Sequence, residues 1–449
     1  MQKNILVGCG AGFSGDRLDA ALPVVNTLIR RALPAALIFE NLAERTLAFA
    51  QIARSQNPAL GYEPLLEKEL RPVLALCLQH GIVIVGNFGA ANPDGAAACI
   101  ARLARELGLA APRIAVVKGD EVPLGGGVLP LDELFASAED AKRVLSANAY
   151  QGAFPIAEAI RAGAQIVVTG RVADPALTLG PAIAHFGWGA KDWDKLASAS
   201  VAGHLLECGS QVTGGYFSDP GKKDVPDMAN LGFPIAEILA DGSCIISKAD
   251  NTGGVVDRRT VTEQLLYEIH DPESFITPDV VADISNASIT VLEPNVVSVS
   301  GVRGRERPAT LKTNVYYDDG WLGEAEISYA GINAEARARL SMEVIRQRMQ
   351  GGLPMRFDLI GAISIKGDDD GVLLGQQAAG EGQDIRLRVA AAHDDGELID
   401  SMLREVNALY NNGPAGGGGV RLNKRRRLSM KTCFIARDEL PAQFNFVSP

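Results

Sequence analysis

Short apolar runs alternate with stretches of helical periodicity through the first half of the chain. Residues 5–7, 36–40, 82–85, 113–117 and 165–169 are compact apolar runs of strand length. Between them, residues 16–31, 42–56, 64–80, 94–107, 131–145 and 156–162 carry apolar positions at helix spacing. Strands without polar alternation, separated by helices, predict a mainly parallel sheet covered on both faces, a doubly wound α/β fold. From about Gly254 the period shortens. Residues 243–247, 288–293, 295–302, 310–317, 324–329, 355–365 and 385–392 read as strands, several alternating polar with apolar; 332–349 and 396–410 read as helices. That pattern predicts an α+β domain on a mainly antiparallel sheet, with Asp318-Asp319-Gly320 as a hairpin turn. The expected division is an α/β domain over residues 1–254 and an α+β domain over 255–449 that ends in a Gly-rich segment and tail.

In an open α/β sheet, ligands sit beyond the carboxyl ends of the strands. Four predicted strands end in unusual polar or Gly-rich stretches: GCGAGFSGDR after 5–7, GNFGAANP after 82–85, KGD after 113–117 and TGRVADP after 165–169. Any one is explained by turn formation, whereas four on one edge point to a shared site. Gly10, Gly12 and Gly15 match a dinucleotide fingerprint, and Glu40 closes the second strand. Asp16, directly after the last glycine, would repel a pyrophosphate, and Glu40 lies farther on than the usual ~20 residues. A different anion, held by backbone amides with Arg17 as its cation, fits better, and NAD-linked oxidoreduction ranks third among the readings. Asn87, Gly89 and Asn92 would add donors from the neighbouring loop.

Arg171 and Asp174 share a turn in which arginine offers a fork to a carboxylate or phosphate and aspartate moves a proton. Asp174 serves equally as a cap for the helix begun by Pro175. His204 and Glu207, three apart on a helix, form a candidate acid–base pair ahead of a donor-rich loop containing Gly214 and Gly215. Cys208 is a candidate nucleophile by adjacency alone. No third ligand of metal-binding type is spaced for His204, so no metal is expected. Asn148-Ala149-Tyr150-Gln151-Gly152-Ala153 reads as a capping signal.

Composition narrows the classes. With 449 residues and a net charge of −11, the chain is a multidomain protein unsuited to nucleic acid. Its one basic run, Lys424-Arg425-Arg426-Arg427, reads as a solvated or subunit-facing patch. No apolar run reaches the ~20 residues that span a bilayer, and nothing reads as a signal peptide. Six scattered cysteines without C-x-x-C pairing suit a reducing cytoplasm.

The stretches VGCGAGFSGDR, GNFGAANP, NAYQGA, TGRVADPALTLGP, HLLECGSQVTGGYF, DNTGG and NGPAGGGGVR together resemble the acyclic terpene utilisation protein A (AtuA) family. They run in order from Val7 to Arg421, and their joint occurrence is specific where no single motif is. The resemblance implies a cytoplasmic catabolic protein from clusters that degrade terpenoid or branched acids as CoA thioesters. It implies no certain cofactor beyond a CoA moiety on the substrate. Longer members carry a small ferredoxin-like-fold domain, so a separate small partner of that fold is expected here. A homodimer is the base-rate expectation. The leading functional reading is a lyase or hydratase acting on an organic acid or its acyl-CoA thioester by acid/base catalysis. The alternative is a non-catalytic nucleotide- or acyl-CoA-binding subunit that needs the small partner.

Overall fold

A computed structural model describes residues 4–349, 352–368 and 371–447. The chain opens with β1 (Ile5–Ala11), α1 (Ala21–Arg31), β2 (Ala35–Phe39) and α2 (Glu44–Gln56). Next come α3 (Leu66–Leu70), α4 (Leu74–His80), β3 (Val83–Gly86), α5 (Pro93–Glu106) and β4 (Ile114–Lys118). Two single turns, α6 (Leu131–Leu134) and α7 (Ala138–Ala141), precede β5 (Val144–Ala149), α8 (Phe154–Arg161) and β6 (Ile166–Thr169). α9 (Ala176–Phe186) and α10 (Trp193–Glu207) lead to β7 (Pro234–Ile238), β8 (Cys244–Lys248) and α11 (Arg258–Leu266). Short strands β9 (Phe275–Ile276), β10 (Val281–Asp283), β11 (Ser288–Glu293), β12 (Val296–Ser300) and β13 (Arg303–Arg305) follow. The remainder is β14 (Thr310–Ala330), α12 (Ala334–Arg348), β15 (Arg356–Ile360), α13 (Val372–Gln376), β16 (Asp384–His393), α14 (Gly396–Asn412), β17 (Gly418–Ala436) and β18 (Gln443–Phe446).

Two compact units result. The first comprises Met1–Ser137, Leu145–Val315 and Lys431–Pro449; the second comprises Ala138–Val144 and Tyr316–Met430. Gly254, where the sequence pattern changes, lies inside the first. That unit is built on a ten-stranded sheet in the order β11-β12-β8-β7-β1-β2-β3-β6-β4-β18. Its centre, β1-β2-β3-β6-β4, is parallel, as apolar strands such as Leu37-Ile38 and Ile84-Val85 require when both faces are buried. Both flanks are antiparallel, so the sheet is mixed rather than mainly parallel. Helices α1, α4 and α5 pack on this sheet, as do α8, α9 and α10, and α10 is buried almost all round. The second unit carries an antiparallel sheet in which β14, from Trp321, pairs with β16 and β16 pairs with β15. Its own core gathers Ile327, Leu387, Met402 and Val406.

Four local expectations are corrected. The helix expected from residue 16 starts at Ala21, because the Asp16 carboxylate turns back to accept from the Gly12 and Arg17 N–H groups at 2.9 and 2.7 Å. The helix expected over 131–145 is two single turns followed by strand β5. The expected hairpin at 318–320 does not form, since β14 runs straight through it. There Asp318 and Asp319 instead pair with Arg426 and Arg427 of β17, at 2.9 and 3.0 Å. The Gly-rich segment after α14 runs directly into β17, which local pattern did not reveal. Among the described residues, no helix is long and apolar enough to cross a membrane.

Candidate functional site

A cavity of about 370 Å³ opens in the first unit, where several element ends meet. The turn after β6 supplies Asp174, the last turn of α10 supplies His204 and Glu207, and the first turn of α2 supplies Glu44. Tyr150, Glu268 and Lys312 complete the polar lining, and Ile269, Phe275, Ile276 and Leu311 give it an apolar wall. Three residues proposed from sequence as proton carriers, Asp174, His204 and Glu207, thus share one wall. Tyr150, Glu44 and Lys312 were not singled out for chemistry. The only sequence signal for any of them was NAYQGA, read as a cap.

Helix geometry brings His204 and Glu207 together, and Nδ1 of the histidine lies 2.9 Å from Oε1 of the glutamate. The His204 side chain is buried and that of Glu207 is 13% exposed, and among the described residues neither His204 Nε2 nor Glu207 Oε2 has a hydrogen-bond partner. Each group therefore keeps one buried polar atom free. Burial pushes the Glu207 carboxyl up to about 7 against the pull of His204. For His204 burial acts downward, but the charge and hydrogen bond of Glu207 raise it above its ordinary value. The two titrate as a coupled pair. Burial and the Glu207 charge push the Cys208 thiol far up, so it stays protonated and is a poor nucleophile.

Arg171 lies beneath this wall and is only 1% exposed. Its Nε donates to Val172 O at 2.8 Å, one Nη to Leu42 O, and the other to Val172 O and the Asp174 carboxylate. Its guanidinium also stacks 4.6 Å from the centre of the Tyr150 ring. With its donors spent inside the protein, Arg171 positions Asp174 rather than forking a ligand. Burial raises the Asp174 carboxyl, with the Glu44 charge adding and Arg171 opposing. About a third of that side chain still reaches the cavity. The Tyr150 hydroxyl donates to Glu44, and Lys312 Nζ lies 4.7 Å from the Tyr150 ring and 3.6 Å from Glu44 Oε1. Burial works to raise Glu44, but the Tyr150 hydrogen bond, Arg171 and Lys312 outweigh it and hold the carboxyl below its ordinary range. Glu44 is the charged partner of the set and Glu207 the one poised to exchange a proton.

Nearly the whole chain matches one family model, acyclic terpene utilisation family protein AtuA, over residues 5–446. The chain belongs to the AtuA family. Membership connects it with acyclic terpene utilisation. No curated protein and no solved structure is significantly similar to it.

In this AtuA-family chain the loops after β1, β3 and β4 give no residue to the lining of the cavity. Gly10 lies within β1 against the Phe39 ring, and Gly12 abuts the backbone at Cys208 and Gly209. Gly15 takes φ +91° in an open turn. No helix starts at Gly15, so the loop lacks the strand–turn–helix geometry that holds a pyrophosphate. Arg17 is paired with Asp19 at 2.9 Å and donates to Leu231 O at 3.2 Å. Asn87 is buried, accepting from Asn41 N at 2.7 Å and donating to Glu40 at 2.8 Å. Asn92 caps α5 and donates to Pro58 O and Leu60 O. Gly89 packs against Thr169 O and Pro93; Gly214 and Gly215 pack against Val225 and Ser210. Among the described residues, no group of three or more His, Cys, Asp or Glu side chains is arranged to hold a metal ion.

Proposed function

We propose that the chain is a catabolic enzyme, a lyase or hydratase that adds or removes water next to the acyl carbonyl of an organic acid or its thioester. The observation that carries this reading is the His204–Glu207 pair, each partner with one unpartnered polar atom, set beside Asp174 on the wall of one cavity. In dehydration a base takes the proton α to the carbonyl, and an acid protonates the departing β-hydroxyl; hydration reverses both transfers. Asp174, oriented by Arg171, takes the α-proton, and Glu207, with its carboxyl near neutrality and steadied by His204, protonates the hydroxyl. Lys312 is the cation of the lining that meets developing enolate charge. Glu44, Asp174, Glu207 and Glu268 crowd the same cavity, which disfavours a free carboxylate there and favours the uncharged thioester. The apolar wall would receive the hydrocarbon part.

The test is turnover of branched 3-hydroxyacyl thioesters and their 2,3-unsaturated counterparts, followed by absorbance of the conjugated double bond. Wild type should interconvert them, and Asp174→Asn and Glu207→Gln should each slow the reaction by about 10²-fold or more. Absence of turnover with both thioesters and free acids, or variants as fast as wild type, sinks the assignment. Turnover that appears only on adding a small partner protein would make the chain a subunit instead.

A further inference from the structure

A second cavity in the first unit, about 560 Å³, lies where the loops after β1, β2 and β3 come together. Ser14 comes from the first loop, Asn41 and Leu42 from the second, and Ala90 from the third. Of these, the loops after β1 and β3 give no residue to the lining of the first cavity. Most of their polar groups are satisfied by one another: Asn87 serves Asn41 N and Glu40, and Asn92 serves its own helix and two carbonyls. One polar atom of a lining residue is not. Asn41 is 2% exposed, and its Oδ1 has no hydrogen-bond partner. Its Nδ2 donates to Glu69 Oε1 at 3.0 Å. Glu69 Oε2 is likewise buried and unpartnered. A buried acceptor without a donor is unfavourable in a folded protein, and a bound hydroxyl relieves it.

The rest of the lining is mostly apolar. Phe49, Ala50 and Ala53 come from α2, and Leu60, Tyr62 and Pro64 from the segment after it. The volume falls within the ~300–1,000 Å³ of small-molecule sites, which are typically apolar with a few placed polar groups. The charge around the polar end excludes anions: Glu63 lines the cavity, and Asp16 lies close enough to act on Glu69. The two ionised carboxylates nearby are already engaged, Asp16 by two backbone N–H groups and Glu63 Oε1 by Leu65 N–H at 2.9 Å. Burial leaves Glu69 protonated up to about pH 8, so an ammonium gains less here than an alcohol. We propose that this cavity binds an uncharged aliphatic alcohol, with its chain against Phe49 and Tyr62 and its hydroxyl donated to Asn41 Oδ1.

Calorimetric titration of the full chain with octan-1-ol, octanoate and octylammonium tests this directly, whatever reaction the first cavity performs. Octan-1-ol should bind at least tenfold more tightly than either ion, and Ala53→Phe, which fills the cavity from α2, should abolish binding. Equal or tighter binding of octanoate or octylammonium, or unchanged octanol affinity in Ala53→Phe, overturns the proposal. Should Ala53→Phe fail to fold, the methyl ether of octanol on the wild-type chain asks the same question. Lacking a donor for Asn41, the ether should bind at least tenfold more weakly, and equal affinity refutes the assignment.

Discussion

Replacing Glu69 by glutamine should make the first unit more stable at alkaline pH while changing little at pH 5. Glu69 is buried, with Oε1 accepting from Asn41 Nδ2 at 3.0 Å and Oε2 unpartnered. Burial, with Glu63 and Asp16 adding repulsion, lifts its carboxyl from 4.5 to about 8. Below about pH 4.5 the folded and unfolded chains both carry this proton, so the group contributes nothing to pH dependence. Between there and pH 8 the folded chain keeps a proton that the unfolded chain has lost, and stability falls as pH rises. Each pH unit of that interval costs about 1.4 kcal/mol. The ceiling is therefore near ~5 kcal/mol, and relaxation and water entry bring the expected loss to roughly 2–4 kcal/mol. Glutamine keeps an acceptor for Asn41 and never ionises, so this part of the slope vanishes in Glu69→Gln. Glu40, also raised to about 8 by burial and the Asp174 charge, supplies a second slope that remains in both proteins. Urea unfolding at pH 5, 6, 7 and 8.5 reads the difference. Parallel stability curves for wild type and Glu69→Gln would refute the reasoning.

Other outcomes follow from the same contacts. Arg171→Lys loses the fork that serves Leu42 O, Val172 O and Asp174 together, and should cost about 2–4 kcal/mol in urea unfolding; wild-type stability would mean that these contacts contribute little. His204→Gln removes the charge that holds Glu207 down, so the Glu207-dependent limb of kcat/KM against pH should move upward from about 7; an unmoved limb would detach that limb from Glu207. Gly12→Ala places a methyl 2.7 Å from Gly209 Cα and close to Cys208, and should lose more than ~2 kcal/mol. Gly15→Ala, with open space but φ +91°, should lose only about 1 kcal/mol, and thermal melts of the two variants check the order.

The parallel centre of the sheet was legible because buried strands such as Ile82-Ile84-Val85 and their helices repeat a local pattern. The antiparallel flanks were not: β11 and β12 alternate like any half-buried strand, and nothing local says which sheet they join. The Arg171–Asp174 turn and the His204–Glu207 pair stood out by residue type and spacing. Their surroundings did not, because burial of Arg171 is set by Tyr150 and Leu42, distant in sequence. An arginine at a strand end reads as an anion fork until its donors are seen to be spent internally. Likewise the Gly-rich loop reads as a phosphate cradle until Asp16 is seen closing on Gly12 N and α1 beginning five residues later. Tyr150, Glu44 and Lys312 lay hidden in a cap, a helix start and a strand, each unremarkable alone.

The central claim is that Asp174 takes the proton from the carbon next to an acyl carbonyl while Glu207, steadied by His204, protonates the β-hydroxyl. Deuterium wash-in tests it without knowledge of the full reaction. A branched saturated acyl thioester incubated with the chain in D2O should gain deuterium at the α-carbon by mass spectrometry, and Asp174→Asn should slow the exchange at least 100-fold, whereas Glu207→Gln, which acts on the β-hydroxyl, should slow it far less. No exchange with wild type across a panel of thioesters and free acids, or exchange in Asp174→Asn as fast as in wild type, would contradict the account.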